Sequence, residues 1–321
     1  MERLQSIDLL KIIAMFGVIS LHSTMLYITP GATGLADIVY DMGVISVPLF
    51  FMVSGFFLIP RRRTMKYCLM KSLKYIRFIV SMVLLFWVGY SLFFGLDVAL
   101  LVKWLTGTLL THGPFGVFWY LWAVILCLLI TPLLNSLFSS HSRLYTALLL
   151  ALWLLCTLIF SNTMQGGLFE ARIPALAKVY AWFFFYMLGG ELSRRDVPRI
   201  PVAIPLLLFA FAIFYMEYCG RRVGSEYASV FYLSVPVTVL CIVLFLYFKG
   251  LNISGNKAVQ ALSQTFLPVY AVHNVIIQFL PRFYDGLCIA PLINWVVISL
   301  LSVAFGLVVN KLPYVNKLFK A

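Results

Sequence analysis

Lysine and histidine share one face of the first apolar segment, Ser6-Ile-Asp-Leu-Leu-Lys11-Ile-Ile-Ala-Met-Phe-Gly-Val-Ile-Ser-Leu-His22. In a helix, their spacing puts Lys11 and His22 about 16 Å apart along the axis and roughly 20° apart around it. Two ionisable residues on one stripe of a membrane helix are costly unless they face a protein interior or a water-filled cavity. They therefore mark a candidate site. An imidazole with a nearby carboxylate is the usual general-base arrangement, because the carboxylate holds the tautomer and stabilises the imidazolium. Asp41, at the start of the second apolar segment, and His273, in the ninth, are the companions at comparable depth. Asp41 also fits a first-turn acid favoured by the helix dipole, and His273 fits a structural hydrogen-bonding histidine. His112 and His141 fall in connections and are expected to be solvated.

A basic run, Arg61-Arg62-Arg63-Thr-Met-Lys66 through Lys71, Lys74 and Arg77, follows the second segment. Its plain reading is a topology signal that also meets anionic lipid headgroups. Its sharper reading is a site for a phosphorylated ligand, since Arg and Lys pair with phosphate. Lys74 and Arg77 sit three apart at the entrance of the third segment and share a face, which makes them better candidates than the arginine triplet.

The elements that must position these residues are helices. The 321-residue chain is 63% hydrophobic and 11% charged, which excludes a soluble domain. Apolar runs of about 20 residues point to an all-α polytopic membrane protein. Strands of a β-barrel would alternate instead. Ten spans are expected, at Ile7–Tyr27, Ile38–Ile59, Tyr75–Phe94, Val117–Leu137, Leu144–Phe160, Ala177–Leu192, Pro201–Tyr218, Ala228–Phe248, Ala261–Leu280 and Pro291–Asn310. Val98–Leu110 is apolar but too short to span, as a re-entrant or interfacial segment would be. A single transmembrane domain over residues 1–321 is expected, with no appended soluble domain. No cleavable signal peptide is expected, because Lys11 interrupts the first apolar stretch and no small-residue cleavage site follows.

Lys and Arg set the orientation. With both termini cytoplasmic, seventeen of the 24 basic residues fall inside: Arg3, the run from Arg61 to Arg77, Arg143, Arg194, Arg195, Arg199, Lys249, Lys257, Lys311, Lys317 and Lys320. Six fall outside: Lys103, Arg172, Lys178, Arg221, Arg222 and Arg282, while Lys11 is intramembrane. This asymmetry accounts for most of the net charge of +13 without nucleic acid. The six cysteines (Cys68, Cys127, Cys156, Cys219, Cys241, Cys288) form no Cys-x-x-Cys, so no metal or redox motif is indicated and they read as small buried hydrophobes.

Together these motifs resemble the acyltransferase-3 family of integral-membrane O-acyltransferases. Its first helix carries a basic residue, usually arginine, then ten residues and a histidine, as in Lys11 to His22 here, after Ile7-Asp8. Val47-Pro-Leu-Phe-Phe-Met-Val-Ser54-Gly55-Phe56 is similar to its V-P-L-F-F-x-x-S-G-[FY], and Lys74-x-x-Arg77 matches its basic pair in part. Phe118-Trp119-Tyr-Leu, Thr131-Pro132-Leu-Leu, Tyr186-Met-Leu-Gly189-Gly190 and Val269-Tyr270-Ala-Val-His273 resemble its later motifs in order. The pattern is most similar to the subgroup that includes the enterobacterial common antigen O-acetyltransferase. Two positions depart: lysine stands at Lys11, keeping the charge without the bidentate fork, and Val117 stands where many members have histidine.

The resemblance implies transfer of an acyl group, most often acetyl, from cytoplasmic acyl-CoA to a hydroxyl of a surface saccharide or lipid-linked glycan, in a multi-pass protein of the bacterial inner membrane. His22 would deprotonate the acceptor hydroxyl or carry the acyl group transiently. Asp41 would orient it, His273 would support it, and Lys11, Lys74 and Arg77 would meet the CoA phosphates. A proton-coupled transporter or flippase using Lys11, His22 and Asp41 as a relay is the competing reading; a non-catalytic membrane sensor is a third.

Overall fold

The computed structural model describes residues 4–28, 34–166, 173–197, 199–223, 228–253, 255–280, 289–312 and 319. Arg3, Arg172, Arg282, Cys288, Lys317 and Lys320 lie outside them, as do the side chains of Arg221 and Arg222. Each apolar run is helical, as lipid demands of a chain whose backbone polar groups must be satisfied internally. The helices are α1 (Gln5–Thr24), α2 (Leu35–Met42), α3 (Ser46–Leu58), α4 (Met65–Phe94), α5 (Val98–Leu110), α6 (Trp119–Ser140), α7 (Ser142–Met164), α8 (Val179–Ser193), α9 (Ala203–Val223), α10 (Ala228–Phe231), α11 (Val235–Gly250), α12 (Lys257–Ser263), α13 (Phe266–Phe279) and α14 (Ala290–Lys311). No strand occurs among the described residues.

Among the described residues, seven helical stretches are long and apolar enough to cross a membrane. They correspond to seven of the ten expected spans. The other three fall on α8, α11 and α13, of 15, 16 and 14 residues. These are shorter than the roughly 20 residues that a hydrocarbon core requires. Local chemistry explains the shortening. Ser234 caps α11 by accepting from the Val237 N–H, with Pro236 in the first turn, so the expected Ala228–Phe248 helix is interrupted there. The expected Ala261–Leu280 helix breaks between Ser263 and Phe266.

The second expected span is likewise broken, between α2 and α3 at Gly43. A Cβ on Gly43 would sit 2.3 Å from the Gly17 carbonyl oxygen, so only glycine lets the break press against α1. In contrast, the third span begins ten residues earlier than expected. Thr64 caps it by accepting from Tyr67 N–H at 3.2 Å, so Lys66, Lys71, Lys74 and Arg77 fall in the first turns of α4 while Arg61–Arg63 stay in the turn before it. At 30 residues α4 is about 45 Å long, well beyond a hydrocarbon core of about 30 Å. The short apolar segment at 98–110 is helix α5, capped by Asp97.

Burial sorts the helices into an inner and an outer set. Nearly all of α3 and α8 is buried, whereas α4, α7 and α9 expose most of their aliphatic side chains, as lipid-facing helices do. The two inner helices meet backbone to backbone. A Cβ on Gly55 would fall 1.8 Å from the Tyr186 carbonyl oxygen, and one on Gly189 1.9 Å from that of Met52. Small residues at such crossings allow the close approach that drives association without a hydrophobic effect. Tyr186 and Thr131 hydroxyls bond at 2.7 Å, and Tyr145 donates to the Met187 carbonyl at 2.6 Å, tying α8 to α6 and α7. Against α1 pack α2, α3 and α11 to α14. From α14, Trp295 Nε1 donates to Phe16 O at 2.9 Å and Asn294 Nδ2 to Ser23 O at 2.8 Å. Cys68, Cys127, Cys156 and Cys241 are buried thiols, as expected of small apolar side chains.

Candidate functional site

The two ionisable residues of α1 border two different environments. Near its start, Lys11 lines a cavity of about 420 Å³ with Arg61, Arg63 and Lys71, and no carboxylate is among the lining residues. Lys11 Nζ is 3.2 Å from Asp8 Oδ1 and 5.5 Å from the Phe57 ring centroid. The Arg63 guanidinium lies 4.5 Å over Tyr67, and Lys71 Nζ lies 5.9 Å from Tyr75. Four cations converging on one concave space fit a polyanionic ligand.

Asn135 of α6 anchors the backbone of the turn that carries two of these cations. Its Oδ1 accepts from the Arg63 backbone N–H at 2.9 Å, and its Nδ2 donates to the carbonyls of Leu58 and Ile59. One buried amide thus satisfies the orphan carbonyls at the end of α3 and fixes the turn that carries Arg61 and Arg63. Lys74 and Arg77 are exposed on α4 and do not line the cavity. Arg77 follows Lys71 by six residues, about 120° around the helix.

From the cavity, aromatic rings lead towards the histidines. Phe50, Tyr120 and Phe266 line it, and Ser54 hydrogen-bonds the Tyr120 hydroxyl. Tyr120 and Phe266 each lie 5.9 Å from the Tyr270 ring, which is 5.9 Å from His273. The Tyr270 hydroxyl donates to the Val117 carbonyl, at the position where histidine is usual in the resembling motif.

His273 and His22 are neighbours, with ring centroids 5.4 Å apart. His273 is buried, with Nδ1 3.2 Å from the Val269 carbonyl oxygen. A carbonyl only accepts, so Nδ1 carries a proton, and in the neutral ring Nε2 presents a lone pair. Nε2 is buried with no hydrogen-bond partner among the described residues. An orphan of this kind is costly and marks a place where structure serves something other than stability. His22 is half-buried. Asp41 is buried, and its charged neighbours are Glu217 and Asp37. No hydrogen bond or ion pair between Asp41 and His22 occurs among the described residues; the partner that the fold brings to His22 is the second imidazole.

Sequence reasoning passed over Arg61, Arg63 and Lys71 in favour of Lys74 and Arg77, and it gave no role to Asn135, Ser54, Tyr120 or Tyr270. Ser54, Tyr120 and Tyr270 stood inside motifs already singled out. Among the described residues, no group of three or more His, Cys, Asp or Glu is placed to hold a metal ion.

A family model described as an acyltransferase domain, Acyl_transf_3, matches residues 4–311. The chain belongs to the acyltransferase-3 family. Neither a curated protein nor a solved structure was found to match it. The family makes the protein a multi-pass membrane acyltransferase in general terms, and the match singles out no subgroup within it.

Proposed function

We propose that the protein moves an acetyl or other short acyl group from cytoplasmic acyl-CoA to a hydroxyl of a cell-surface saccharide or related acceptor, with His22 as general base. The observation that carries this reading is the arrangement on α1. A four-cation cavity lies at one end and an imidazole pair about 16 Å further along the same helix. The cations suit the phosphates of the nucleotide part of CoA. The extended pantetheine arm would then run past Phe50, Tyr120 and Phe266, which line the cavity, in the direction of His22.

In the transfer, His22 takes the proton of the acceptor hydroxyl as its oxygen attacks the thioester carbonyl. The tetrahedral intermediate collapses, the C–S bond breaks, and the CoA thiolate leaves and takes up the proton from the His22 imidazolium, which restores the neutral base. His273, tethered through Nδ1, supports the His22 ring. Asp41 belongs to the acceptor side, where a carboxylate can accept from sugar hydroxyls. Lys11, Arg61, Arg63 and Lys71 hold the donor, with Lys74 and Arg77 at the periphery.

The orientation follows the loop charges: the Lys11 end of α1 and both termini in the cytoplasm, in a bacterial inner membrane. An acceptor such as a lipid-linked glycan, as in the subgroup the motifs resemble, then meets His22 from the outer side. The relay reading has less support, because Lys11 is paired with Asp8 and no hydrogen bond or ion pair links His22 to Asp41 among the described residues. The test is release of free CoA from acetyl-CoA by purified protein, with and without a hydroxyl acceptor. An acyltransferase releases thiol in step with acceptor acylation, and a transporter releases none.

A further inference from the structure

A second cavity, of about 570 Å³, lies between the start of α7 and the end of α8 and shares no lining residue with the first. Three of its lining residues are Arg143, Arg194 and Arg195; two are the hydroxyl residues Ser142 and Thr146. Among the described residues, the carboxylate that pairs with this cluster is Glu191, itself buried. Arg194 is locked. Its Nη2 pairs with Glu191 and donates to the Thr146 hydroxyl at 3.2 Å, and its guanidinium packs over Phe138 and Tyr145 at 4.8 and 5.6 Å. Arg195 is held by Glu191 as well, through Nε at 2.8 Å and through Nη2. Each guanidinium has five N–H donors, so both keep donors to spare. Arg143 is exposed and makes no hydrogen bond or ion pair among the described residues.

Charge that only sets topology needs no fixed geometry. Here two guanidinia are held in place beside a third. Leu150 lines the same cavity and is exposed, and Leu154 continues its outward face one turn along α7. Arginine clusters at the end of membrane helices recognise phosphate headgroups. We propose that this cavity binds one anionic phospholipid, its phosphate diester held among Arg143, Arg194 and Arg195 and an acyl chain lying along Leu150 and Leu154. The leucine face favours a lipid over a soluble phosphate, because the anion site opens directly onto surface that lipid tails cover.

The test uses the delipidated full-length protein in an uncharged detergent, titrated with phosphatidylglycerol, phosphatidylcholine or the deacylated headgroup glycerophosphoglycerol, with bound ligand counted by native mass spectrometry. One phosphatidylglycerol should be retained in preference to phosphatidylcholine. The variant R143Q/R195Q should bind it roughly 30-fold more weakly, as expected for two basic residues near an anionic headgroup. The equal-charge control R62Q/K66Q should bind as wild type does. Arg143→Gln alone, which breaks no hydrogen bond or ion pair among the described residues, should weaken binding about fivefold and keeps the test valid if the double variant fails to fold. Equal losses in R143Q/R195Q and R62Q/K66Q, no loss in Arg143→Gln, or glycerophosphoglycerol binding as tightly as the lipid would each overturn the proposal.

Discussion

At the scale of single residues, the proposed chemistry rests on how little holds the histidines. His273 has its Nδ1 tied to Val269 and its Nε2 unpartnered among the described residues, so its ring is oriented while one nitrogen stays available. Replacing His273 by Ala should lower kcat for acyl transfer without changing acetyl-CoA binding. Rescue by Asn, whose amide can keep the Val269 bond, should be incomplete because no basic nitrogen returns. Equal kcat in wild type and His273→Ala, measured by thiol release, would remove His273 from the reaction. Lys11 and His22 were legible from spacing alone, because both lie on one helix and 3.6-residue geometry fixes their relation. Arg61 and Arg63 were not, because the turn that carries them is set by Asn135, more than seventy residues away.

At the scale of elements, Asn135 gives the sharpest expectation. Asn135→Ala removes the acceptor of Arg63 N–H and the donor to Leu58 and Ile59, loosening the turn but no residue of the His22 region. Such hydrogen bonds contribute about 1 kcal/mol each. The expected outcome is a rise of roughly tenfold or more in KM for acetyl-CoA with kcat nearly unchanged; a fall in kcat at constant KM would show that the turn does not serve the donor. The contact of α3 with α8 gives a second expectation. Gly55→Ala or Gly189→Ala places a methyl within 2 Å of a facing carbonyl oxygen, so the helices must separate. Overpacking of this kind costs about 1–3 kcal/mol or more, visible as a lower melting temperature in detergent. Unchanged melting would mean that the two backbones do not approach so closely. Apolar runs were readable because helix is the only solution that lipid allows an open segment. The breaks were not: Gly43 is an ordinary glycine until Gly17 is seen against it, and Ser234 is an ordinary serine until it caps α11.

At the scale of the whole molecule, one helix connects a cation-lined cavity to an imidazole pair, and lipid-facing helices surround that axis. In the proposed orientation, single cysteines placed in the 61–64 turn should react only with reagents that enter the cytoplasm. Cysteines at positions 221 and 222 should react from outside; the reverse pattern would put the cations on the wrong side for CoA. The most direct test of the central claim is acyl transfer by a folded His22→Ala protein, measured beside its acetyl-CoA binding. General-base catalysis contributes about 10²–10⁴-fold. The expected result is turnover reduced by about that factor with donor affinity intact. Near-normal turnover with intact binding would contradict the assignment of His22 as the base.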